Sequence, residues 1–201
     1  MVLQDQLKNV ARKIIEKTPG EETLRRSVRS RKPRTIMFVD DGIVPNHPRW
    51  PLIIYRGAVR TKGSKDSAAL LDALFAANEW GRSWRDTIYD FVHYHSQIHE
   101  VLGVARGTAV VEFGGVKGRH LSLKAGDIAI LPAGTGHRLI KASRNFLVVG
   151  AYPSSGTYDE CTDSRDRPDA RKRIAKVKKP PRDPIYGKTA GLSLIWKRLS
   201  K

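Results

Sequence analysis

Between residues 88 and 152 the chain is cut into short β-prone runs by glycine and proline at close, regular intervals. The pattern predicts strands over 88–95, 100–106, 108–113, 119–124, 127–131, 137–142 and 146–152. Gly114-Gly115 and Lys117-Gly118 predict one hairpin turn, and Ala125-Gly126-Asp127 another. Many short strands with tight turns and few helices imply an antiparallel sandwich or barrel, because each strand must bury one face against a second sheet. With 201 residues and no internal repeat, the expectation is one β-domain with extensions, large enough to bury its own core.

The remainder is less regular. Apolar positions at Leu3, Leu7, Val10 and Ile14 predict an amphipathic N-terminal helix over 3–17, ended by Thr18-Pro19-Gly20. Residues 25–35 read as a basic linker, 36–39 and 52–59 as strands. Asp66 or Ser67 can cap a helix running to about Glu79, with Leu70, Leu71, Leu74 and Phe75 on its buried side. After Tyr152, prolines at 153, 168, 180, 181 and 184 prevent long regular elements, and Leu192–Trp196 reads as a final strand or a docking segment. The expected division is a basic helix and linker over 1–34, a β-barrel over 35–160, and a basic, proline-rich segment over 161–201 docked on the barrel.

The formal net charge is +17, and much of it lies at the ends. Residues 1–34 hold ten Lys/Arg against four Asp/Glu, and residues 165–182 hold nine against two. Neither segment interleaves the aromatic residues of a base-stacking platform, so solvated arms are expected and nucleic acid is not the expected partner. No apolar run is long enough for a membrane span, so no membrane association is expected. The single cysteine, Cys161, allows no internal disulfide and favours a reducing compartment. The cytoplasm is therefore the expected location. The basic amphipathic N-terminus makes the mitochondrion the alternative, opposed by the acids Asp5, Glu16, Glu21 and Glu22.

The candidate chemistry lies in His93-Tyr94-His95-Ser96-Gln97-Ile98-His99-Glu100 and in Pro132-Ala133-Gly134-Thr135-Gly136-His137. On an extended strand Tyr89, Phe91, His93 and His95 share one face, which suits the lining of a barrel. Glu100 opens the next strand close behind them. Three imidazoles and a carboxylate form a donor set suited to a divalent transition metal. His99 competes as a ligand, but alternation sends it to the side opposite Glu100, so a rim or supporting role is expected. His120 is expected to face outward. Arg138 follows His137 and is a candidate for contact with an acidic substrate, with a surface position as the simpler expectation. Carboxylates beside Cys161 blunt it as a nucleophile, and no nucleophile elbow surrounds Ser96.

These spacings resemble the cupin motifs. His93, His95, Glu100 and Gly107 are similar to the first motif, H-x-H-x4-E-x6-G. Gly126, Pro132, Gly134 and His137 are similar to the second, G-x5-P-x-G-x2-H. The chain departs at Thr87, where the family usually has glycine, and at Lys141, where it often has asparagine. Both are structural positions. Eighteen residues lie between the motifs, as in compact microbial cupins. Residues 30–196 further resemble the YjlB-type single-domain cupins of bacteria and fungi. The matching segments include Tyr55-Arg56-Gly57-Ala58, Asn78-Glu79-Trp80-Gly81 with Trp84, Leu131–His137 and Val148–Pro153. The resemblance implies a jelly-roll-like barrel preceded by one helix, and one bound divalent metal (Mn, Fe, Ni or Zn) held by His93, His95, Glu100 and His137. It also implies a homodimer, but no particular reaction.

Two functional expectations follow. The first is a metal-dependent oxidoreductase or isomerase acting on a small oxygen-rich, anionic metabolite. Glu100 is its candidate catalytic residue, and Tyr89, Phe91, Arg138 and His99 are its candidate substrate contacts. The second is a non-catalytic binding or sensor module whose basic ends contact an acidic partner.

Overall fold

The computed structural model describes residues 19–198, and the helix expected over 3–17 lies outside them. Nine strands form two antiparallel sheets. They are β1 (Arg34–Ile36), β2 (Leu52–Tyr55), β3 (Trp80–Asp86), β4 (Glu100–Arg106), β5 (Thr108–Phe113), β6 (Arg119–Lys124), β7 (Ile128–Leu131), β8 (His137–Ala142) and β9 (Leu147–Pro153). The larger sheet has the order β1-β2-β7-β4-β9-β3 and the smaller β6-β5-β8. Four helices are described: α1 (Glu21–Ser27), α2 (Ser67–Ala77), α3 (Arg167–Ile174) and α4 (Leu192–Arg198). None is long and apolar enough to cross a membrane.

Alternation along β4 explains both layers. Leu102 and Val104 face the smaller sheet and pack with Leu52, Ile54, Val111, Phe113, Leu121, Leu123 and Ala129. Val101 and Ala105 face the other way, into a second core with Ile53, Ile128, Ile130, Val149 and α2 residues Leu70, Leu71, Leu74 and Phe75. The large sheet is thus apolar on both faces, with a barrel interior on one side and a helix on the other. The Asp66 carboxylate caps α2 by accepting from the backbone N–H groups of Ala68 (3.0 Å) and Ala69 (2.9 Å).

Several expected elements take a different form. Residues 88–95 are not a strand. His93 exchanges backbone hydrogen bonds with His137, while Tyr94, its neighbour, exchanges them with Cys161. Both are isolated bridges, and neither is continued into a ladder along the segment. Residues 80–86, where no strand was expected, form β3, whose register on β9 shifts between Gly81 and Trp84. Part of the expected linker is α1, and Val28 after it bridges to Val59. The strand expected over 36–39 lies at Arg34–Ile36, and that over 52–59 ends at Tyr55. Leu192–Trp196 is helical, not extended.

That last helix inserts Trp196 into a buried aromatic stack. The Trp196 ring lies 5.0 Å from Trp50 and parallel to it, and Trp50 lies 4.4 Å from the ring of His47. His99 tilts against both tryptophans at 5.5 and 4.9 Å. Burial pushes His47 down to about 4, helped by the Arg49 charge, and His99 down to about 3, where the closeness of the second imidazole, His47, acts in the same direction. Both imidazoles are neutral in the folded chain and protonate near ~6.5 once unfolded. The unfolded state therefore binds more protons in the window between, and stability present above pH ~6.5 is lost as pH falls toward 4 and 3. The expected slope is about 1.4 kcal/mol per pH unit for each imidazole. Urea midpoints between pH 7 and 4.5 will test this, with His99→Gln expected to flatten the dependence. An unchanged slope in that variant would assign acid sensitivity to other groups.

Candidate metal centre

Parity places the first carboxylate. Glu100 has the same orientation as Leu102 and Val104, so its side chain enters the barrel, where it is buried. His137 begins β8 opposite Phe113, also facing inward, after a turn in which Gly134 has φ +88°. The paired backbone bonds between His93 and His137, 3.2 and 2.9 Å, bring those two rings to 4.1 Å. His95 lies two residues beyond His93, and its carbonyl accepts from Gly134 N–H at 2.7 Å.

The result is a convergence of donor atoms. One nitrogen from each of His93, His95 and His137 lies within 4.8 Å of the others, and all three residues are buried. Glu100 Oε2 lies 3.5 Å from His95 Nε2 and 3.3 Å from His137 Nε2. Each ring is oriented from behind. Nδ1 of His93 pairs with the Phe91 carbonyl, that of His137 with Thr135 and that of His95 with Asp159. A carbonyl can only accept, so Nδ1 carries the proton and the Nε2 lone pair is left for a ligand role. Glu100 Oε2 is buried with no hydrogen-bond partner. A buried carboxylate oxygen without a hydrogen bond, beside the nitrogens of His95 and His137, is costly unless a cation satisfies it, so the three histidines with Glu100 fit a divalent transition metal.

The electrostatics of the four groups are coupled, and His93 and His95 shift in opposite directions. Burial and the nearby His137 push His93 down to about 3, so it is a neutral donor. Burial alone would raise Glu100, but the adjacent His95 and His137 outweigh it and hold the carboxyl below its usual range. Burial would lower His95, but the Glu100 charge, with help from Asp159, turns the shift upward.

Asp159 is a supporting residue that the sequence reading missed. Its carbonyl holds His95, and its carboxylate accepts from the N–H groups of Ser96 (2.9 Å) and Gln97 (3.0 Å) and from the Ser96 hydroxyl. Arg173 of α3 donates to the same hydroxyl at 2.6 Å, tying the C-terminal segment to the ligand loop. Burial and then Asp159 raise the Cys161 thiol, which suits an inert sulfur.

Above the donors lies a cavity of about 460 Å³, lined by Trp84, Ile88, Tyr89, Tyr152, Tyr158, Arg82 and others, in the size range of small-molecule sites. Tyr152 accepts from Trp84 Nε1–H at 3.0 Å. Gly150 permits this wall, since a Cβ there would come within 2.3 Å of the Trp84 indole nitrogen. Burial, then the Glu100 charge, keeps the Tyr152 hydroxyl protonated far above neutrality.

Of the expected substrate contacts, Tyr89 lines this cavity, and Phe91 stacks on Tyr89 at 4.8 Å while half exposed. Arg138 does not line it. On β8 it faces opposite to His137 and makes a two-pronged pair with Glu112, both contacts at 3.1 Å. His99 is neither ligand nor rim. It is fully buried in the tryptophan stack, accepting from Ala133 N–H at 2.9 Å and donating to the Lys178 carbonyl at 3.2 Å. His120 is exposed beside Glu112.

The chain is 40% identical over 167 residues to the uncharacterised protein YjlB of Bacillus subtilis (strain 168), a match covering 83% of this chain and 98% of that protein. No family profile matches it. Among solved structures it is similar to oxalate decarboxylase of Bacillus subtilis, with TM-score 0.36, 18% identity and coverage of 56% of this chain and 27% of that one. A DMSP lyase gives TM-score 0.32 and 19% identity over 40% of each chain. The 11S globulin from Wrightia tinctoria gives 0.33 and 15% over 40% of this chain and 22% of that one. The chain spans about a quarter of the length of the oxalate decarboxylase chains it matches. Two motifs that meet at one centre, and a relative aligned over nearly its whole length, lead to one assignment: the chain belongs to the YjlB-type cupins.

Proposed function

We propose that this cupin is a metal-dependent enzyme acting on a small, oxygen-rich, anionic metabolite. The observation that carries the reading is the convergence of three oriented imidazole lone pairs with an unpartnered carboxylate oxygen beneath a small-molecule cavity. His93, His95, Glu100 and His137 would hold the ion, and Mn, Fe, Ni and Zn all suit this donor set. A bound divalent ion would supply Lewis-acid polarisation of substrate oxygens.

The chain's own groups have distinct parts to play. Glu100 is the one anionic donor of the centre; its carboxylate would hold the ion, or shift away from it to accept a proton from a bound substrate. Tyr152 keeps its proton and can donate it to a substrate oxygen along the cavity wall, while the Tyr158 hydroxyl donates to Glu160 at 3.0 Å. The Trp84, Ile88 and Tyr89 side chains give the cavity an apolar wall.

The test begins with protein purified without a metal-chelating tag. Elemental analysis is expected to find a transition metal bound. The Mn(II) and Fe(II) forms, screened against hydroxy acids and diketones with dioxygen monitored, are expected to turn over at least one compound. Background rates throughout, with metal present, would overturn the enzymatic reading.

A further inference from the structure

Two arginines line the cavity above the ligand atoms, and their surroundings differ. Arg85 is neutralised by Asp72 at 2.5 Å and Asp66 at 3.6 Å. Arg82 has no carboxylate partner among the described residues. Arg82 is exposed, and its Nη2 donates to the carbonyls of Pro153 (3.0 Å) and Gly156 (3.3 Å), which hold one side of the guanidinium. Its Nε and Nη1 donate to none of the described residues. Of the carboxylates in the lining, Glu100 lies at the centre, and Asp86 accepts from the N–H of its neighbour Thr87.

The backbone supports a functional placement. Arg82 has φ +48°, in the left-handed region that non-glycine residues seldom occupy, at the point where β3 shifts register on β9. Such strain persists where the surrounding structure enforces it, and a bulge re-aims a side chain out of simple alternation. The Arg82 guanidinium carbon lies 6.0 Å from the centre of the Tyr152 ring, and that ring lies 5.7 Å from the ring of His95. One tyrosine therefore separates the Arg82 cation from the ligand cluster, along one wall of one cavity.

We propose that Arg82 is a distal anion anchor that binds a carboxylate at one end of the substrate while oxygen donors at the other end address the centre formed by His93, His95, Glu100 and His137. The proposal rests on the metal-dependent reading and adds the second end of the molecule. The substrate class is a short carboxylic acid with a chelating oxygen group remote from that carboxylate. A guanidinium with donors left over and an aromatic face beside it is the group best matched to such a carboxylate.

The experiment is a calorimetric titration of the metal-loaded protein with two probes. One is 2-oxoglutarate. The other is 2-oxovalerate, which has the same chelating end and a methyl group in place of the distal carboxylate. Wild type is expected to bind 2-oxoglutarate roughly tenfold tighter or more, the loss of one charge-assisted contact being on that scale. Arg82→Gln is expected to bring the two affinities together by weakening 2-oxoglutarate alone, and Arg82→Lys to keep part of the preference. A wild-type ratio near one, no binding of either probe, or a preference that survives in Arg82→Gln overturns the proposal. The first two outcomes need no variant to fold, and melting curves verify both variants. Metal content measured on the same samples separates the two readings. A wild-type protein that holds no metal but keeps an Arg82-dependent preference retains the anion anchor and loses the metal-dependent function. A metal-loaded protein without that preference does the reverse.

Discussion

Alanine in place of His93, His95 or His137 is expected to lower metal affinity by more than about 100-fold, beyond what loss of a supporting hydrogen bond costs in metal sites. Each side chain contributes an Nε2 lone pair fixed by its own Nδ1 contact to a carbonyl, so no rotation of a neighbour can replace it. His99→Ala is the contrasting case. It removes an acceptor from Ala133 N–H in the turn that leads to His137, and it leaves the cluster of His93, His95 and His137 in place. Its effect on affinity is expected to stay within about tenfold, the lower end of the range for supporting groups. Dialysis against buffered metal followed by elemental analysis measures both. Metal stripped by His99→Ala but retained by His93→Ala would show that the donor set has been misassigned.

Trp196→Ala is expected to cost about 3–5 kcal/mol of folding stability, the range for truncating a buried aromatic side chain. The indole is fully buried, parallel to Trp50, and its Nε1–H donates to the Pro51 carbonyl at 3.1 Å. Truncation opens a cavity and leaves that carbonyl unpaired. A domain holds only ~5–15 kcal/mol in total, so a shift of this size is large. Leu194, half exposed on the same helix, is the control, and its alanine variant is expected to change stability by less than about 0.5 kcal/mol. Urea unfolding of the two variants gives the comparison. A Trp196→Ala midpoint close to wild type would mean that the last helix contributes little to the core.

The strands from Glu100 onward were legible because their determinants are local. Alternating apolar residues and glycine turns lie within a few residues of the elements they define, and the boundaries of β4, β5, β6 and β8 follow them. The Asp66 cap is local in the same way. So is the spacing of His93, His95 and Glu100, which is why the donor set could be read as a pattern before any geometry was known. For Arg138 the sequence supports a substrate contact, with a surface position as the simpler alternative, and β8 turns it away from the cavity to pair with Glu112.

What tertiary structure alone decided depends on contacts across long stretches of chain. The pairing of His93 with His137 and of Tyr94 with Cys161 turns an apparent strand into two isolated bridges. Asp159 reaches His95 from 64 residues away, and no spacing rule connects them. His99 looks like a ligand beside Glu100. It is a core residue because the opposite face of β4 is occupied by Trp50 from one end of the chain and Trp196 from the other. Arg82 stands out only once the bulge in β3 and the carbonyls of Pro153 and Gly156 place it over Tyr152. Side-chain period and turn chemistry act over a few residues and can be read along the chain. Which buried group meets which partner is settled by packing between distant segments, where sequence separation carries no information.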